Sequence, residues 1–176
     1  MSKIALFYST TDGHTLKICH YIQSVLSTTE QISIIPIAQA QERDLAAADK
    51  IIIGASIRYG KHQKELYQFI NRHLTLLQQK PAAFFSISIV ARKPNRQRPD
   101  NNPYFKRFLS KSPWQPKLIG IFAGKLEMPR YRYLDKIMIR LIMKIGKSPV
   151  NNQSCIEFTN WEHVRQFAEK LRQLEQ

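Results

Sequence analysis

Apolar and polar positions change period repeatedly along this chain. Lys3 to Ser9 is an apolar run that gives way to hydroxyls and a glycine, which predicts a buried strand. From Gly13 to Leu26, Leu16, Cys19, Ile22, Val25 and Leu26 recur at helical spacing. Gln31 to Ile37 predicts a second strand, Glu42 to Ala48 a short helix, and Lys50 to Ala55 a third strand. The Ile-Ile-Ile of that third strand fits burial on both faces. Lys61 to Leu77 predicts a helix with Leu66, Phe69, Ile70, Leu74 and Leu77 along one side. Ala82 to Val90 and Leu118 to Ala123 predict strands four and five. Trp161 to Leu174 predicts a closing amphipathic helix, facing inward through Val164, Phe167, Ala168 and Leu171.

Strands that alternate with helices predict an α/β fold: a parallel sheet covered on both faces. Ligands of such sheets bind beyond the carboxyl ends of the strands. The loops after Ser9, Ala55 and Val90 are therefore the candidate site. Two segments interrupt the alternation. Arg92 to Pro116 is basic and carries Pro94, Pro99, Pro103, Pro113 and Pro116, and Glu127 to Asn152 separates the fifth strand from the last helix. No linker divides the chain, so a single domain over residues 1–176 is expected, with insertions at about 92–116 and 127–152.

Charge sharpens this picture. The 176 residues carry 27 Lys and Arg against 13 Asp and Glu, a net of +14. Residues 1–91 hold nine basic and six acidic groups, residues 92–147 hold 15 and three, and residues 148–176 hold three and four. One third of the chain thus carries nearly all the excess, which points to an anionic partner for that third. Cys19 and Cys155 form no CxxC pair, and no metal-ligand spacing is present, so neither a disulfide nor a metal is expected. The N-terminus lacks the basic and long apolar regions of a signal peptide. The longest apolar stretch without charge, Pro81 to Ala91, falls well short of the roughly 20 residues that span a bilayer.

The loop after the first strand, Ser9-Thr10-Thr11-Asp12-Gly13-His14-Thr15, concentrates hydroxyls and a glycine at a helix start. Unpaired backbone N–H groups there carry partial positive charge and bind phosphate. The Walker lysine and the GxGxxG glycines are absent. The wider pattern Leu6-Phe7-Tyr8-x-Thr10-x-x-Gly13-x-Thr15-x-x-x-Cys19-x-x-Ile22 resembles the flavodoxin signature, with Cys19 where alanine is usual. That resemblance implies a five-stranded parallel sheet of order 2-1-3-4-5. It also implies bound flavin mononucleotide (FMN), its phosphate among Thr10, Thr11, Asp12, Gly13, His14 and Thr15. Beside a phosphate, Asp12 reads as a cap or turn residue rather than a direct contact.

The second loop holds Ser56, Ile57, Arg58, Tyr59 and Gly60. In a flavodoxin-like fold it lies against the flavin ring: Tyr59 would stack, Gly60 would allow a tight turn, and Arg58 and Lys61 would stabilise reduced flavin or attract an acidic substrate. In the third loop, Ser86, Ile87 and Ser88 are the candidates to meet the edge of the ring.

Four blocks narrow the resemblance. They are Ile53-Gly54-Ala55-Ser56-Ile57-Arg58-Tyr59-Gly60, Val90-Ala91-Arg92-Lys93-Pro94, Pro129-Arg130-Tyr131-Arg132-Tyr133 and Leu141-Ile142-Met143-Lys144-Ile145. In this order they resemble the menaquinone-dependent protoporphyrinogen IX dehydrogenases of bacterial haem biosynthesis. The resemblance implies an oxidoreductase acting on CH–CH groups. Protoporphyrinogen IX would lose six electrons, two at a time to FMN, which would pass them to a membrane quinone, menaquinone or ubiquinone. It also implies a peripheral protein of the cytoplasmic face of the inner membrane. No side chain is assigned an acid or base role.

On a helical wheel, Arg132, Lys136, Arg140, Lys144 and Lys147 share a sector of about 120°, and Leu134, Ile137, Met138, Leu141, Ile142 and Ile145 another of roughly 140°. With Tyr131 and Tyr133 at its start, this is the pattern of a helix lying in an anionic membrane surface. The competing expectation is that the apolar stripe packs on the protein's own core. Ile139 and Met143, which project on the basic side, weigh against that. Arg92 and Lys93, with Arg96 and Arg98, are candidates to hold the substrate's propionates, or else belong to a solvated loop. An electron-carrier flavodoxin or another FMN-dependent quinone reductase remains the alternative, though carriers are typically acidic. Nucleic acid is not an expected partner, since no recognition motif or aromatic platform accompanies the basic stretch.

Overall fold

The structure, a computed structural model, describes residues 1–175. Its central sheet contains β1 (Ser2–Ser9), β2 (Glu30–Pro36), β3 (Lys50–Ser56), β4 (Ala82–Ser88) and β5 (Leu118–Ala123). All pair in parallel, in the order β2-β1-β3-β4-β5, as the signature implied. Successive residues of a strand point to opposite faces, and both sets are apolar here. Ile4, Leu6, Ile52, Phe85 and Phe122 face α1 (His14–Leu26) and the C-terminal helix (Trp161–Arg172). Phe7, Ile51, Ile53, Phe84 and Ile121 face the opposite layer. That layer includes α2 (Glu42–Ala46), α3 (Lys64–Arg72), α4 (Leu74–Gln79) and α5 (Pro103–Lys111).

Two expectations change. The helix foreseen from Lys61 to Leu77 starts at Lys64 and breaks at His73 (φ −111°, ψ 20°), whose ring packs on Phe69 at 4.9 Å. The fourth strand ends at Ser88, because Ile89–Arg92 coil into a 3-10 turn.

The proline-rich insertion is folded, not loose. Asn102 caps α5, its side-chain oxygen accepting from the Tyr104 and Phe105 amides, and Pro103 takes the first helical position, where its missing N–H costs nothing. The helix buries Phe105 and Phe108, and Trp114 follows. Phe84 stacks on Phe108 with ring centres 4.2 Å apart and meets Trp114 edge-on. The first insertion thereby completes one face of the core.

The second insertion builds a satellite core. β6 (Lys125–Glu127) pairs antiparallel with β7 (Cys155–Glu157), and α6 (Tyr133–Ile145) lies between them in sequence. Leu126, Met128, Tyr131 and Met143 are buried together, with Ile139, Ile89 and Phe158 against them. The C-terminal helix, α7, then crosses back beside α1. No helix among the described residues is long and apolar enough to cross a membrane.

Candidate functional site

The loop after β1 is shaped around an uncapped helix. Gly13 takes the N-cap position of α1 at φ 82°, a left-handed conformation open to glycine at little cost, and no side chain caps the helix. Thr10 Oγ1 accepts from the Gly13 N–H at 2.9 Å, which turns that hydroxyl into the loop. Thr15 differs from its neighbours. Its hydroxyl is buried and has no hydrogen-bond partner, although it lines a cavity of about 380 Å³. An unpaired buried hydroxyl costs about 1–3 kcal/mol. A phosphate at the helix start would satisfy the hydroxyl and the free amides together.

Neighbouring groups are drawn aside. Asp12 pairs with Arg58 at 3.1 Å, in keeping with a residue that makes no direct phosphate contact. Gln63, before α3, accepts from Ser9 Oγ at 2.6 Å and donates to Thr11 Oγ1 at 3.1 Å, pinning the loop to the opposite layer. The Thr159 hydroxyl donates to the Ala123 carbonyl, so at its 2.7 Å contact with His14 it accepts from Nε2–H. Burial lowers the pKa of His14 and keeps the ring neutral.

The second loop is a two-residue turn. Arg58 and Lys61 exchange both backbone hydrogen bonds, with Tyr59 at φ 51° and Gly60 at φ 71°. Positive φ at both central positions is a type I′ turn. Tyr59 is not glycine, and holding it there costs of order 1–3 kcal/mol. Its restraints are visible. The Tyr59 hydroxyl donates to Asp135 Oδ1, and the Arg58 guanidinium sits 5.5 Å from the Tyr59 ring and 5.3 Å from the Tyr131 ring. Arg58 also pairs with Asp135 at 3.2 Å. One guanidinium therefore joins the first loop through Asp12, the second loop through Tyr59, and α6 through Asp135. The Tyr59 hydrogen bond, with Arg58 beside it, holds the Asp135 carboxyl below its ordinary range. Arg58 is committed to these two carboxylates.

The third loop splits. Ile87 and Ser88 line the cavity, and the Ile87 carbonyl accepts from the Ile57 amide at 2.8 Å. Ser86 points the other way: its hydroxyl meets His62 Nε2 at 2.9 Å in the core, where burial pushes the His62 pKa down to about 4. Thr10, Thr11, Asp12, His14, Thr15, Ser56, Ile57, Arg58, Tyr59 and Gly60 all line the cavity, and Gly13, the N-cap of α1, does not.

The wheel of α6 resolves opposite to its simplest reading. Met143 and Ile139, on the basic side, are the residues that pack on the satellite core. The large apolar sector faces away from it: Leu134, Leu141 and Ile145 are 58% to 76% exposed. The inner edge of that sector, Met138 and Ile142, roofs the cavity together with Ile139 and Met143. Tyr131 is buried, unlike Tyr133. Sequence reasoning missed Tyr131 and Asp135 as site residues. The signal for Asp135 was present, since it is the sole acid between Met128 and Lys147.

The remaining basic candidates are dispersed. Arg92 donates to the Ile89 carbonyl at 3.1 Å and abuts Gly146 at the carboxyl end of α6, where the helix dipole favours a cation. Lys93, Arg132 and Lys144 are exposed, and Lys136 and Arg140 are half-buried along α6. Taken together, an unpartnered hydroxyl, an uncapped helix and apolar walls fit a flat cofactor that ends in a phosphate.

Comparison with known proteins agrees with this chemistry. Residues 5–153 match the flavodoxin domain, a flavin-binding fold. A protoporphyrinogen IX dehydrogenase [quinone] of Escherichia coli (strain K12) is 36% identical over 98% of this chain and 96% of its own. One of Leishmania major is 37% identical over 94% of this chain and 73% of its own. Among solved structures, oxidised flavodoxin 2 from Bacillus cereus superposes with a TM-score of 0.52 at 16% identity, over 98% of this chain and 99% of that one. At that identity the likeness speaks for the fold alone. Near-complete coverage at 36% and 37% identity decides the assignment: the chain belongs to the flavodoxin-domain family and, within it, to the protoporphyrinogen IX dehydrogenase [quinone] oxidoreductases.

Proposed function

We propose that the chain is an FMN-dependent enzyme that oxidises protoporphyrinogen IX to protoporphyrin IX and delivers the electrons to a membrane quinone. The observation that carries this reading is the buried, unpartnered Thr15 hydroxyl, set at an uncapped helix start in the wall of the cavity. The substrate comes from the name of the relatives, matched over nearly the whole chain. When bound, the flavin supplies two-electron acceptance from carbon and return to a quinone, so six electrons leave in three rounds.

The residues of the chain do the positioning. Thr15 and the first amides of α1 would hold the phosphate. Arg58 takes up the Asp12 carboxylate, which removes a like charge from that phosphate. The Tyr59–Gly60 turn fixes the backbone of the second loop, which would lie against the ring. Met138, Ile139, Ile142 and Met143 give the cavity an apolar wall that would cover the cofactor. His14 stays neutral and gives its Nε2–H to Thr159.

The outer face of α6 supports attachment to an anionic membrane, on the cytoplasmic side of the inner membrane. Burying an exposed Leu or Ile side chain stabilises by about 1.5–3 kcal/mol, and a Lys or Arg near an anionic surface adds about 1 kcal/mol. Leu134, Leu141 and Ile145 supply the first term, and Lys136, Arg140 and Lys144 the second. Because the inner edge of the same helix roofs the flavin cavity, a quinone dissolved in the bilayer needs only to pass α6 to reach the flavin.

Three measurements test this. Anaerobic mixing of FMN-loaded protein with protoporphyrinogen IX and a menaquinone analogue gives porphyrin fluorescence above the autoxidation control, and only with quinone. FMN binding without that signal favours the electron carrier. Thr15→Val keeps the side-chain shape and removes the hydroxyl. FMN affinity, read from quenching of flavin fluorescence, falls about ten-fold, while the flavin-free protein melts no lower, because no hydroxyl is left buried and unpaired. Wild-type affinity in this variant would contradict the phosphate site. Finally, Lys136→Glu, Arg140→Glu and Lys144→Glu together abolish co-sedimentation with phosphatidylglycerol vesicles and leave FMN bound. Sedimentation equal to wild type sinks the membrane assignment.

A further inference from the structure

A second groove, about 700 Å³ in volume, adjoins the flavin cavity and shares Thr11, Arg58, Tyr59 and Asp135 with it. Besides Arg58, its lysines and arginines come from three separate stretches: Lys61 and Lys64 at the approach to α3, Lys111 at the end of α5, and Arg130 and Arg132 before α6. Asp135 is its one acidic wall residue, and that carboxylate already serves Tyr59 and Arg58. Arg130 pairs with Glu127 at 3.0 Å. Among the described residues, Lys61, Lys64, Lys111 and Arg132 have no ion-pair partner. Tyr67, half-buried, gives the groove an aromatic wall.

Four cations gathered from distant parts of a chain, without counter-charge, repel one another in the free protein. A cleft lined by one sign of charge concentrates ligands of the opposite sign. We propose that this groove binds the two propionate carboxylates of the porphyrinogen, with the macrocycle reaching past Tyr59 toward the flavin cavity. The inference rests on the function proposed above and adds where the acidic end of the substrate sits. A dianion has the sign the groove calls for and offsets part of its uncompensated charge, and the shared wall puts the ring of a ligand anchored here beside the flavin cavity.

The arginines that charge alone nominated for this task are placed elsewhere. Arg92 is folded against the end of α6, Arg98 pairs with Asp100 at 3.3 Å, and Arg96 donates to the Asn101 carbonyl at 2.8 Å. None of them, nor Lys93, lines the groove.

Lipid phosphate offers the same anionic chemistry as a propionate, so the test separates the two. FMN-loaded wild type and Lys64→Glu/Lys111→Glu are compared for anaerobic oxidation of protoporphyrinogen IX and of its dimethyl ester, with FMN content checking the fold. The proposal expects the charge-reversal variant to raise KM for the free acid about ten-fold, with the effect in KM rather than kcat. It expects the ester to show no such difference between the two proteins. A wild-type KM for the variant overturns the groove assignment. Loss of phosphatidylglycerol vesicle binding at unchanged KM overturns it in favour of a lipid headgroup site. If wild type oxidises no porphyrinogen at all, the functional reading has failed. The groove is then judged by fluorescence titration with protoporphyrin IX: equal affinity in both proteins overturns it, and weaker binding by the variant supports it.

Discussion

Arg58 is the constraint on which the site depends. Its guanidinium lies between two tyrosine rings and between two carboxylates, each supplied by a different part of the chain. Asp12 belongs to the loop after β1, Tyr59 to the turn after β3, and Asp135 to the helix that roofs the cavity. A guanidinium suits this role because it is planar, always charged and able to donate in several directions at once. The arrangement also restrains Tyr59 at positive φ, an expense that a glycine would not incur. Without Arg58 the sheet, which rests on buried aliphatic and aromatic side chains, would keep its core, but three pieces of the site would lose their common anchor.

Charge in the second insertion has two destinations. Along α6, Lys136, Arg140 and Lys144 flank an apolar face turned to solvent, and the opposite side of the helix packs on Leu126, Met128 and Tyr131. Before α6, Arg130 and Arg132 join lysines of α3 and α5 around a groove beside the flavin cavity. One insertion thus serves the proposed membrane contact, the roof of the cofactor site and the proposed acidic-substrate groove.

The sheet was legible because its strands are apolar on both faces, as with Ile51, Ile52 and Ile53, and because its loops are rich in hydroxyls and glycine. The first-loop residues follow from local chemistry, and all but Ser9 and Gly13 line the cavity. What escaped the sequence is long-range. A helical wheel gives the angles between residues, not which sector meets the core, so Met143 appeared to be on the wrong side of α6. Arg58 and Asp135 are 77 positions apart, and no periodicity joins them. Ser86 sits in a strand whose two faces are both buried, and the alternation sends its hydroxyl to His62 rather than to the cavity. The prolines of the first insertion suggested a loop, although Asn102-Pro103 is a helix start and Phe105, Phe108 and Trp114 a core.

The central claim is that the Arg58 bridge to α6 organises the cofactor site from outside the phosphate loop. Asp135 tests it most directly, because the residue lies far from Thr15 in sequence and belongs to the insertion. The measurement is the FMN dissociation constant of Asp135→Ala, by titration of flavin fluorescence, in protein whose cooperative melting shows an intact fold. A loss of affinity of about ten-fold is predicted. Adding Asp12→Asn should then cost less than it does alone, since both carboxylates act through one guanidinium. Wild-type FMN affinity in Asp135→Ala would contradict the account.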